Sequence, residues 1–134
     1  MIDKKVVTLD LIVERGKWRL WGRVLLKGHL LVESATSLVT LQKKMKSLLS
    51  NEITGISNKN IEFNIKFDLT AFFEKSDFLN MSGIAKHAKI NPTLLRQYVS
   101  GNKFPSEERV KEIENVIRKI GKELLQTKLA TRHN

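Results

Sequence analysis

Cysteine is absent from this chain, so neither a disulfide nor a thiolate metal site holds it together. The three histidines, His29, His87 and His133, stand far apart without ligand spacing, and no metal or other cofactor is expected. No apolar run reaches the roughly 18 residues of a membrane span. Met1 is followed by Ile-Asp-Lys-Lys and not by a secretory apolar segment, so a cytoplasmic protein with no membrane partner is expected. Acid is scarce too: 14 Asp and Glu face 24 Lys and Arg, for a net charge of +10, which points to a polyanionic partner or an acidic surface. Residues 1–66 hold twelve basic and six acidic residues and residues 67–134 hold twelve and eight, so the charge is not confined to one half.

What is present supports folding. Hydrophobic residues make up 41% of 134 residues, enough for the core of one domain or of two small ones.

The most informative stretch is 81–101, MSGIAKHAKINPTLLRQYVSG. Asn91 suits a helix cap, Pro92 the first helical position, where its missing N–H costs nothing, and Gly101 a left-handed stop. Between them Thr93, Arg96, Gln97 and Ser100 fall at i, i+3, i+4 and i+7, with Leu94, Leu95, Tyr98 and Val99 opposite. Ile84, Ala88, Ile90, Leu95 and Tyr98 form the apolar set that locks a preceding helix at a steep angle, and the small Ala85 lets the backbones approach. Two amphipathic helices in a bundle would show the same pattern without DNA. Charge favours DNA: from Ser76 to Ser106 the only acid is Asp77, while Lys86, Lys89, Arg96 and Lys103 are all positive. Arg96 and Gln97 are the side chains able to make bidentate contacts to base edges. Asn91, Thr93 and Ser100 are placed for bases or nearby phosphates, and Lys86, Lys89 and Lys103 for phosphates.

Upstream, Val7, Leu9, Leu11 and Val13 alternate with Thr8 and Asp10, which predicts a half-buried strand over 6–13. Glu14 to Lys17 is a turn, Trp18 to Leu26 a second strand, and His29 to Glu33 a third after the break at Lys27-Gly28, giving an antiparallel meander. Trp18 and Trp21 are expected on opposite faces of the second strand, one in the core and one exposed. Ser34 or Thr36 caps a helix carrying Leu38, Leu41, Met45 and Leu48. Residues 50–60 read as a loop, and Ile61, Phe63, Ile65, Phe67 and Leu69 as the clearest strand. Asp68 or Thr70 then begins a helix with no Pro- or Gly-rich linker before it. After Ser106, Val110, Ile113, Ile117, Ile120 and Leu124 step by 3, 4, 3 and 4, a pattern that suits packing on this domain and on a second copy. Gly121 is placed to interrupt that helix, and Thr131 to Asn134 to fray.

The 81–101 stretch closely resembles the helix-turn-helix of the phage-repressor-like (Xre) family, with Lys89 where that turn usually holds Gly; the NKFPSEER run that follows also matches. Across nearly the whole chain, WRLWGRVLL, the Lys27-Gly28 break, TSLVTLQKKM, FDLTAFF, IAKHAKINPTLLRQYVSGNKFPS and KIGKELL resemble HicB antitoxins with an Xre-type C-terminal domain. The resemblance implies an α+β chain: a β-β-β-α-β partial RNase-H-like domain over 1–68 and an all-α helix-turn-helix domain over 69–134. It further implies operator binding as a homodimer or higher oligomer and neutralisation of a small HicA-like toxin ribonuclease. Family members are commonly acidic in the toxin-binding domain, whereas residues 1–66 here are basic.

Two other readings stand beside this one. An orphan mobile-element repressor would use the first domain for dimerisation or ligand sensing. A nuclease would need carboxylates converging on a divalent ion, and Asp10, Glu14, Glu33 and Glu62 are more simply the polar faces of strands. No enzymatic activity is expected.

Overall fold

The computed structural model describes residues 5–133. Met1 to Lys4, read above for a leader, and Asn134 of the expected frayed tail lie outside that range. The fold class is α+β. Among the described residues a four-stranded mixed sheet and five α-helices divide into two units, through Lys75 and from Ser76 onward. No helix among them is long and apolar enough to cross a membrane.

In the first unit β1 (Val7–Arg15), β2 (Leu20–Leu26) and β3 (His29–Ala35) form the expected antiparallel meander, and β4 (Ile61–Phe67) returns parallel to β1, giving the order β3-β2-β1-β4. Helix α1 (Leu38–Glu52) makes the long connection that a parallel pair requires. Alternation sends Leu11, Val13, Val24, Ala35 and Ile61 to the face under α1, where Leu41, Met45 and Leu49 complete the buried core. Burial of each of these Leu, Val, Ile and Met side chains is worth about 1.5–3 kcal/mol. Gly22 makes the close fit possible: a Cβ there would stand 3.1 Å from Leu11 and Leu41 methyl carbons.

Several expectations are corrected. Ser37, not Ser34 or Thr36, caps α1, because Ser34 and Ala35 remain paired with Trp21 and Leu20; its hydroxyl accepts from Thr40 N–H at 3.2 Å. The buried stripe steps by four from Leu41 to Met45 to Leu49, leaving Leu48 only half-buried. The expected loop at 50–60 still begins in α1 and ends in a short 3₁₀ turn at Asn58–Asn60. Neither tryptophan is core. The Gly16 N–H to Arg19 carbonyl bond of 2.9 Å places Trp18 in the turn before β2, 77% exposed. Trp21 is 47% exposed on the open face, since Gly22 and Val24 occupy the core side.

The boundary between units also moves. Helix α2 (Leu69–Lys75) belongs with the sheet, so the division falls after Lys75 and not after Asp68. Asp68 N–H donates to the Val13 carbonyl at 2.9 Å. Its carboxylate accepts from Ala71 N–H at 2.8 Å and from Arg15 N–H at 3.3 and 3.4 Å, while Glu74 pairs with Arg15 Nε at 3.0 Å. One aspartate therefore ends β4, starts α2 and fastens it to β1.

The second unit comprises α3 (Met81–Ala88), α4 (Pro92–Ser100) and α5 (Glu107–Gln126), around buried Ile84, Ala85, Ile90, Leu95 and Ile113. Ser106 caps α5 as predicted, its Oγ accepting from Arg109 N–H at 3.1 Å. Gly121 does not interrupt α5, which continues to Gln126; a lone interior glycine costs about 1 kcal/mol, too little to break a helix of strong formers. Residues 127–133 form no helix or strand.

Candidate nucleic-acid interface

Two short helices are stopped and restarted within three residues by side chains and backbone of defined type. Asn80 caps α3, its Oδ1 accepting from Gly83 N–H at 3.1 Å. Lys89 closes it in the left-handed region at φ 56°, and Ile90 N–H reaches back to the Ala85 carbonyl at 2.9 Å. That wrap turns Ile90 inward, where it is buried. Asn91 Oδ1 accepts from Thr93 N–H at 2.8 Å, Pro92 opens α4, and Gly101 at φ 82° ends it with Asn102 N–H on the Gln97 carbonyl at 3.0 Å. Asn80, Asn91, Pro92 and Gly101 act here by their own conformational preferences, whereas Lys89 takes the left-handed position without a glycine's freedom.

Burial of Leu95, with Leu94, Tyr98 and Val99 half-buried, fixes the rotation of α4. Thr93, Arg96 and Ser100 are then exposed on the other side, and Gln97 lies half-buried beside them. Lys86 is exposed on the last turn of α3, Lys89 at the turn, and Lys103 beyond the end of α4. The eight predicted residues thus lie exposed or half-buried on α3, the turn, α4 and the residues just past its end, all within the second unit.

Their side chains are not equally free. The Asn91 carbonyl oxygen is taken up by capping, so its outward chemistry rests on the amide nitrogen. Ser100 Oγ donates to the Gln97 carbonyl at 3.2 Å, turned onto its own helix. Arg96 Nη2 donates to Ser82 Oγ of α3 at 3.3 Å. Ser82 was not among the predicted residues, although its place four residues before Lys86 puts it on the same face. Phe104, 90% exposed beside Lys103, is a second feature the sequence pattern did not single out.

The acids weighed for metal-dependent cleavage sit differently. Asp10 accepts from Lys66 at 3.1 Å and from Asn64 at 3.0 Å, and these bonds, with the Lys66 charge, hold its carboxyl below its ordinary value. Glu14 pairs with Arg23 at 3.1 Å, and Glu33 lies 3.9 Å from Lys44. Glu62 is exposed opposite Thr8. Among the described residues no three His, Cys, Asp or Glu side chains gather as a metal site would need.

Comparison of the chain with family models, with curated proteins and with solved structures finds no match.

Proposed function

We propose that this protein is a sequence-specific DNA-binding transcriptional regulator in which α3 and α4 act as a helix-turn-helix and α4 enters the major groove. One observation carries the reading: the outward side of α3 and α4 offers donors and positive charge, from Lys86, Lys89, Thr93, Arg96, Gln97 and Lys103, in a segment free of acid from Phe78 to Ser106. A major groove lined by acceptors and flanked by phosphates is the partner such a surface fits. Arg96 and Gln97 read base edges; Asn91, Thr93 and Ser100 contact bases or adjacent phosphates; Lys86, Lys89 and Lys103 neutralise phosphates. Two copies bind, because a half-site pair one helical turn apart needs two recognition helices.

The order β-β-β-α-β and the sheet order β3-β2-β1-β4 support extending the reading to a HicB-type antitoxin, with a partial RNase-H-like first unit that captures a small toxin ribonuclease. The excess of twelve basic over six acidic residues in 1–66 favours the second reading, an orphan repressor without a basic toxin partner. Co-purification with the product of an adjacent small reading frame separates the two.

The primary test is an anisotropy titration against the duplex upstream of the protein's own gene and a scrambled duplex, at about 50 and 200 mM salt. Selective binding that Arg96→Ala and Gln97→Ala both weaken supports the reading. Equal affinity for the two duplexes, unchanged in the variants, sinks it.

A further inference from the structure

One edge of the first unit's sheet, β3, is long and regular. β3 ends the strand order, and all seven residues from His29 to Ala35 pair with β2 in one unbroken register. β3 has no lysine, proline or bulge to blunt it, and its one charge is Glu33, half-buried on the α1 side, so the outer half from His29 to Val32 carries none of the devices that commonly block an edge. Lys44 Nζ and Arg19 Nη2 both donate to the Ser34 carbonyl, at 2.7 and 3.1 Å, which marks that carbonyl as outward-facing. Backbone alternation then places the N–H and C=O groups of Leu30 and Val32 on the same outer side.

The two flanks of this edge differ in chemistry. On the open face Leu30 and Val32 are 58% and 47% exposed, beside Leu25 and Trp21. On the other flank a shallow groove between β3 and α1 is lined by Glu33, Lys43, Lys44, Ser47, Leu48 and Asn51. Lys43 has no ion-pair partner among the described residues, and Lys44 stands 3.9 Å from Glu33. Arg19 lies at one end of the strand and Lys27 at the other, so positive charge surrounds the single carboxylate of Glu33.

We propose that β3 is a docking edge for an extended segment of a partner protein in which apolar side chains alternate with Asp or Glu. Such a segment adds a fifth strand: its backbone pairs with the outward groups of Leu30 and Val32, its apolar side chains cover those two residues, and its carboxylates reach Lys43 and Lys44. Seven residues in extended form span about 23 Å, the length of the edge. Charge selects this occupant over a second copy, because β3 against β3 sets Lys43 and Lys44 of both chains along one joint. The edge belongs to the first unit and the candidate DNA surface to the second, so failure of one proposal leaves the other standing.

The test titrates a labelled peptide of four Val-Asp repeats into the full chain, beside its Val-Lys counterpart and a Val-Asp peptide N-methylated at alternate residues. Saturable binding of the Val-Asp peptide alone, weakened at least tenfold by Lys43→Glu with Lys44→Glu and unchanged by Lys86→Glu with Lys89→Glu, is the expected result. Circular dichroism melting confirms that both variants fold. Equal binding of the N-methylated peptide reduces the contact to charge attraction and overturns strand addition. No saturable binding, or loss in the Lys86 and Lys89 variant instead, also overturns it, as does a dimer that Leu30→Lys with Val32→Lys converts to a monomer in sedimentation, which would give β3 to a second copy.

Discussion

Arg96 Nη2 and Ser82 Oγ lie 3.3 Å apart, so the side chain proposed to read a base edge is braced by the helix that precedes its own. A long side chain held in one rotamer loses less entropy on binding, and its planar fork is already oriented. Arg96→Ala is expected to cost about 1–3 kcal/mol of discrimination between the operator and a mismatched duplex, and Arg96→Lys not to restore it. Ser82→Ala should weaken operator binding by less than Arg96→Ala does while leaving scrambled-duplex binding unchanged. Anisotropy with single-base operator variants checks both; a Ser82→Ala effect as large on scrambled DNA would assign Ser82 to phosphate contact instead.

Lys89 carries two opposed roles at one position. Its φ of 56° is a conformation that costs a residue with a Cβ roughly 1 kcal/mol, yet its charge sits at the candidate interface. Lys89→Gly is therefore expected to raise the stability of the second unit by up to about 1 kcal/mol and to lower the slope of log affinity against log salt by about one. Urea denaturation and a salt series measure the two effects separately. A stability loss would mean that the lysine stem packs usefully at the turn.

The residues that announced their structure in the sequence are those whose local preference and tertiary role agree. Asn91, Pro92, Gly101 and Ser106 mark helix ends by backbone chemistry alone, and each does so in the structure. The alternation of Ile61 to Phe67 likewise needs only period two. Trp18 and Trp21 misled because periodicity does not say where a strand begins: the turn runs on to Arg19, and that shift removes Trp18 from the strand. Leu48 and Leu49 are adjacent and equally apolar, and only the packing of α1 on the sheet chooses Leu49. Asp68 was legible as a helix start, but its hold on Arg15, 53 residues away in sequence, was not. The bond between Ser82 and Arg96 is of the same kind, since it depends on how α3 and α4 cross.

Asp68 also makes stability depend on pH. Burial pushes its carboxyl above the ordinary value of 3.8, against the bonds from Ala71 and Arg15 N–H, and the charges of Glu14 and Glu74 push the same way. Just above pH 3.8 the folded chain thus holds more proton here than the unfolded chain does. This group's contribution to stability falls as pH rises through that window and stays low beyond it. Asp68→Asn keeps an oxygen for Ala71 N–H and removes the charge. Its stability relative to the parent should therefore climb as pH rises from about 4, on top of a constant offset for the weakened Arg15 bond. Both tryptophans lie in the first unit, so urea denaturation followed by their fluorescence reports the unit that contains Asp68. A parent-to-variant difference that does not change with pH would contradict the assignment.

Helix α5 extends its apolar stripe further than its own unit uses. Ile113 is buried and Ile117 and Ile120 are half-buried, but Leu124, the next in the series, is 64% exposed, with Leu125 exposed beside it. In the proposed dimer this end of α5 would meet the second copy. Leu124→Glu with Leu125→Glu is then expected to give a monomer in sedimentation at micromolar concentration, with helical content and melting of the chain retained, because neither side chain is in the core. Binding to a full operator should fall by a hundredfold or more, since linking two half-site contacts raises avidity by about 10² to 10⁴. Binding to an isolated half-site should not change. If the parent chain is already monomeric, or the variant still dimerises, α5 is not the joint and the pairing of recognition helices must come from elsewhere.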